Sequence, residues 1–102
     1  MVVLNIQGII ILLKAKAYRE ILEREGSKRE IKKHINDIVR LSITLVGTYK
    51  ETLDGQIKTD IVSILDVIKT FDDAQIKSVM KSYDDSLNTH EVVKILEDYF
   101  KL

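Results

Sequence analysis

The chain has no cysteine, no proline and no tryptophan, and only four glycines in 102 residues. Without cysteine there are no disulfides, no thiolate metal sites and no cysteine nucleophile, so bridges say nothing about the redox compartment. Without proline, helices end only at glycines and polar clusters. No Gly-rich phosphate loop and no His-Glu-x-x-His pair occurs, and the two histidines, His34 and His90, stand far apart. His34 lies among Lys32, Lys33 and Asn36 and is expected on a solvated face. His90 falls near the start of a helix, beside Glu91, and belongs to no cluster of convergent groups. A catalytic constellation is missing, and the expected protein is not an enzyme and takes no cofactor or metal.

What is present is an apolar fraction of 45% beside a charged fraction of 31%. That balance fits one globular domain over residues 1–102, able to bury roughly two-thirds of its unfolded surface. The first dozen residues are apolar around Ile9-Ile10-Ile11-Leu12-Leu13. No basic residue precedes the run, no small-residue cleavage pattern follows it, and Asn5, Gln7 and Gly8 interrupt it well short of the ~20 residues a spanning helix needs. A buried helix in a non-membrane, cytoplasmic protein is the expectation.

Five helical segments follow from the periodicity. The first covers about Asn5 to Glu25, with Ile6, Ile9, Ile10, Leu13, Ala17, Ile21 and Leu22 as its inward stripe and Gly26 as its stop. The second starts at Ser27, which forms a capping box with Glu30. It buries Ile31, Ile35, Ile38, Val39, Ser42, Leu45 and Val46. Residues 41–49 also alternate like a strand, and a short pairing with Val2 to Leu4 stays open beside the helical reading. The third helix, about Gly55 to Phe71, has Asp54 as its cap and the stripe Ile57, Ile61, Ile64, Leu65, Ile68 and Phe71. Lys58, Asp60, Asp66 and Lys69 fall opposite. The fourth opens at Asp72 with a second box to Gln75 and turns Ile76, Val79, Met80 and Tyr83 inward. After the polar turn Asp84 to Asn88, a fifth helix from Thr89 to Lys101 buries Val92, Val93, Leu96, Tyr99 and Phe100. The spacing Asp84, Ser86, Asn88 begins like a calcium loop, but Thr89 and Ile95 stand where glycine and glutamate are required.

Charge divides at the midpoint. Residues 1–50 carry ten Lys and Arg against five acids, and residues 51–102 carry six Lys against eleven acids. A shift of 45 residues lays Ser27 and Glu30 on Asp72 and Gln75, and Ile35 and Ile38 on Met80 and Tyr83. The predicted fold is all-α, arranged as two packed helical units, a basic one at 5–46 and an acidic one at 54–101; a degenerate tandem repeat and a chance match between two capped amphipathic helix pairs both stay open. A seam between such units suits a partner peptide or helix, with rim tyrosines Tyr18, Tyr49, Tyr83 and Tyr99 as candidate contacts. The expected function is a protein-protein interaction module, monomeric or homodimeric. The alternative is a small nucleic-acid-binding regulator using Lys28, Arg29, Lys32 and Lys33, though acids interleave with this run.

The Ile9-Ile10-Ile11 run, the capped proline-free helices and the missing cysteine resemble the small isoleucine- and lysine-rich orphan proteins of filamentous viruses that infect hyperthermophilic archaea. The resemblance spans the whole chain. It implies a protein made in the host cytoplasm that binds other proteins, and it carries over no functional residue.

Overall fold

The computed structural model describes residues 6–80 and 88–102, which form five helices: α1 (Ile6–Glu23), α2 (Lys28–Ser42), α3 (Gly55–Ile68), α4 (Asp73–Met80) and α5 (Thr89–Phe100). The fold is all-α, with no strand among the described residues. The reading of residues 41–49 as a strand fails for its own part, and the partner segment Val2 to Leu4 lies outside the described residues. No helix among them is long and apolar enough to cross a membrane.

Helix boundaries follow local chemistry. Ser27 caps α2 by accepting from the Glu30 amide at 3.1 Å, while the Glu30 carboxylate turns to Arg24 at 3.0 Å and leaves its half of the box unmade. At α4 the box is complete: the Gln75 amide donates to Asp72 Oδ1 at 2.8 Å, and Gln75 Oε1 accepts from the Asp72 amide at 2.9 Å. Asn88 caps α5 through the Glu91 amide at 2.9 Å. Asp54 occupies the cap position of α3 without a side-chain bond.

α3 ends at Ile68, short of the expected Phe71, and two further boundaries depart from expectation. α1 ends with Glu25, not Gly26, in the left-handed region at φ 54°, closed by bonds from Gly26 N to Ile21 O and Glu25 N to Leu22 O. Gly26 is needed for another reason: a Cβ there would stand 2.6 Å from Ile21 Cγ2. α2 stops at Ser42, short of Val46, which is 79% exposed. The Ser42 and Thr44 hydroxyls donate to the carbonyls of Val39 and Leu41, at 2.6 and 2.7 Å, and β-branched Ile43 and Thr44 add little helix propensity. The chain then runs irregularly to Gly55, pinned where the Tyr49 amide donates to Tyr99 O at 2.7 Å and where Leu53 is buried.

The core is one cluster. Ile35, Ile38 and Val39 of α2 meet Ile61, Ile64, Leu65 and Ile68 of α3, Ile76 of α4, and Val92, Leu96, Tyr99 and Phe100 of α5. Each fully buried aliphatic side chain is worth ~2 to 3 kcal/mol of transfer free energy. α1 packs along α2 and also against α3, while α2 touches α4 and α5, and α3 touches α5. α3 and α4, the counterparts of the α1–α2 hairpin under a 45-residue shift, share little contact among the described residues. The first half therefore closes as the α1–α2 hairpin, whereas α4 packs mainly on α2 and α3 on α1 and α5.

The inward face of α1 is the largest correction. Gly8, Ile11, Ala15, Tyr18 and Ile21 are buried, whereas Ile6, Ile9, Leu13 and Leu22 are about half exposed. The run Ile9 to Leu13 is apolar on every side, so more than one face could have turned inward. Gly8 decides it, because the Tyr99 ring lies against α1 at that position.

Candidate partner-binding groove

The rotation of α1 leaves an apolar face uncovered. Ile9, Leu12 and Leu13 of α1 face Ile57 of α3 across a groove of about 320 Å³, whose remaining lining is Lys16, Arg19, Gln56 and Asp60. Leu13 is 60% and Ile57 52% exposed, and Ile6, one turn before Ile9, extends the same surface. Ile57, expected in the buried stripe of α3, stands instead on the groove wall. Ile61 and Ile64 take its place in the core.

One end of the groove is closed by polar side chains. Asp60, expected on the solvated side of α3, is only 6% exposed, because it faces α1. Its Oδ1 accepts from Arg19 Nε at 2.9 Å and from Gln56 Nε2 at 2.7 Å. Arg19 also donates to Glu23 at 3.2 Å. The Arg19 guanidinium is held above its ordinary value, first by the bond to Glu23, against a smaller opposing effect of desolvation, and then by Asp60. Lys16, exposed on the wall of α1, has no acid within ion-pair distance among the described residues. The walls thus differ in sign, with cations from α1 and a carboxylate from α3.

The tyrosines do not line this groove. Tyr18 and Tyr99 are buried in the core, so neither is presented to a partner. Tyr49 is half-buried and tilts against Tyr99 and Phe100, with ring centroids 6.1 and 5.4 Å away. Burial, and after it the neighbouring Tyr49, raises the Tyr99 phenol above the ordinary tyrosine value. Tyr83 lies outside the described residues.

Lys28, Arg29, Lys32 and Lys33 are all exposed. Other cations of the basic half are taken up by acids: Lys14 and Arg40 by Asp37 at 3.0 and 2.7 Å, Arg19 by Asp60, and Arg24 by Glu30. His34 is half-buried rather than solvated, with Nδ1 enclosed and unpartnered among the described residues, in a cleft with Glu20, Arg24 and Lys33. No group of three or more potential ligand side chains able to hold a metal occurs among the described residues. Asp84 and Ser86 of the calcium-like spacing lie outside them, and Asn88 is spent as a cap.

The groove residues Ile6, Ile9, Leu13 and Ile57 were all read as core from the sequence. The length of the apolar run from Ile9 to Leu13, more than one helix face can bury, was the available signal. Comparison with protein-family models, with curated proteins and with solved structures finds no match.

Proposed function

We propose that the protein is a non-enzymatic interaction module that holds an amphipathic helix of a partner protein in the groove between α1 and α3. The observation that carries this reading is the row Ile6, Ile9 and Leu13, at i, i+3, i+7 spacing, lying open beside Ile57. Exposed apolar side chains gathered along one groove mark a docking site more than a scattered surface does. A helix laid there presents its own i, i+3, i+7 anchors. Lys16 selects an acid one turn beyond those anchors, and the Arg19–Asp60 pair blocks further travel along the groove. As the sequence resemblance implies, this partner would be met in the cytoplasm, that of a host if the origin is viral.

The test is a nuclear magnetic resonance titration with a designed helical peptide carrying leucines at i, i+3 and i+7 and glutamate at i+10. Shifts confined to Ile9, Leu13, Gln56 and Ile57, and abolished by Leu13→Glu, are expected. Shifts centred elsewhere, or none, would remove the groove as a binding site. Light scattering that shows a dimer dissociated by Leu13→Glu would assign the surface to a second copy of the chain instead.

A further inference from the structure

α2 carries its cations in an unfavourable place. Lys28 and Arg29 stand in the first turn, where the positive end of the helix dipole disfavours a cation. Lys28 with Lys32, and Arg29 with Lys33, are like-charged pairs at i, i+4, which repel. At 100° per residue the four fall within about 140° of arc. None has an acid within ion-pair distance among the described residues. The two acids of α2 give them no relief: Glu30 is held by Arg24, and Asp37 by Lys14 and Arg40. A helix arranged against its own stability gains from an external anion.

Beside this face runs a groove of about 280 Å³ between α2 and α4, and its chemistry narrows the anion. Lys32 and Arg40 stand on one wall, the amides of Asn36 and Gln75 and the Ser78 hydroxyl add polar groups, and Phe71 and Val79 give an apolar surface. No carboxylate lines it among the described residues. Lys32 beside an aromatic ring, with Arg40 already paired to Asp37, suits a phosphate and the base attached to it. A paired base inside a duplex is stacked and cannot enter such a groove, whereas an unpaired base can lie against an aromatic side chain.

We propose that the solvent face of α2 and the α2–α4 groove bind single-stranded nucleic acid, with the phosphates on Lys28, Arg29, Lys32 and Lys33 and a base against Phe71. The surface shares no residue with the α1–α3 groove, so either interaction stands or falls without the other.

Fluorescence anisotropy with a labelled 20-residue oligothymidylate tests it. Four phosphate contacts give a log–log salt slope of about −2.8, so affinity should fall about 50-fold between 50 and 200 mM salt. Lys32→Gln with Lys33→Gln should halve that slope. Phe71→Leu keeps an apolar side chain but removes the ring, and should weaken binding about tenfold without changing the slope. Ser78→Glu, at an exposed α4 position on the groove wall, should weaken it as well and serves if Phe71→Leu fails to fold. Binding to a 20-base-pair duplex or to inorganic polyphosphate as tight as to the single strand would overturn the proposal. So would an affinity that neither Phe71→Leu nor Ser78→Glu reduces, or no binding at 50 mM salt.

Discussion

The ring of Tyr99 occupies the space a side chain at residue 8 would need: a Cβ on Gly8 would stand 2.7 Å from the phenolic oxygen and 2.9 Å from Cε2. Gly8 is helical and buried, so its lack of a side chain serves the approach of the C-terminal helix and not a turn. Helix propensity alone says Gly8→Ala should stabilise α1 by about 1 kcal/mol. The collision should win, because Tyr99 is packed edge-on against Phe100 with ring centroids 4.9 Å apart and has little room to retreat. A net loss of about 1 to 2 kcal/mol is expected in urea denaturation. A gain in midpoint would mean the ring yields at no cost.

The caps make a graded series. Ser27→Ala and Asp72→Ala each remove a side-chain bond to an exposed helix amide and should cost about 1 kcal/mol. Asp72 should be the larger, because its box with Gln75 is reciprocal and losing one side frees the other. Asp54→Ala should cost only a few tenths, since that carboxylate bonds no amide of α3. Three urea titrations decide the order, and an Asp54 loss equal to that of Asp72 would contradict it.

How much of this was legible follows from how each helix is patterned. α5 was readable residue by residue: Val92, Val93, Leu96, Tyr99 and Phe100 form one narrow stripe between charged flanks, and all five are buried. The caps at Ser27 and Asp72 were visible because capping is chemistry local to four residues, although only Asp72 with Gln75 closes a full box, since Arg24 draws the Glu30 carboxylate away. α1 was not, because an all-round apolar helix has no preferred face until a contact distant in sequence, Gly8 with Tyr99, selects one. The groove was missed for the same reason, since it consists of what that selection left outside. Asp60 was hidden differently: its burial depends on Arg19, 41 residues earlier, and a carboxylate on a helix reads as solvated unless its partner is known.

Among the described residues, that partner makes Asp60 the buried charged position. Asp60→Ala removes two bonds at once and leaves Arg19 with Glu23 alone, an exposed pairing one helical turn away. A loss of about 1 to 3 kcal/mol is expected, in line with charge-assisted bonds to a buried carboxylate. Glu23→Ala should cost far less, since exposed i, i+4 pairs contribute only ~0.3 to 0.5 kcal/mol. Thermal denaturation of the two variants should separate clearly, and similar melting temperatures would show that the buried pair is no stronger than the exposed one.

Alkaline stability should report on Tyr99. The folded state holds this phenol's proton more tightly than the unfolded chain does, first because burial opposes the tyrosinate and then because Tyr49 lies beside it. A raised folded value means the contribution is fully present below the unfolded tyrosine value of about 10 and is lost as pH climbs through the folded value. Above about pH 10 the unfolded chain therefore releases a proton the folded protein retains, and stability falls with rising pH. Lysines titrate in the same range, so wild type alone is ambiguous. The informative quantity is the difference between wild type and Tyr99→Phe in urea midpoint from pH 8 to 11: wild type should lose stability more steeply above about pH 10. Parallel curves would show that Tyr99 ionises as easily in the fold as outside it, and that Tyr49 and the core around it do not oppose its charge.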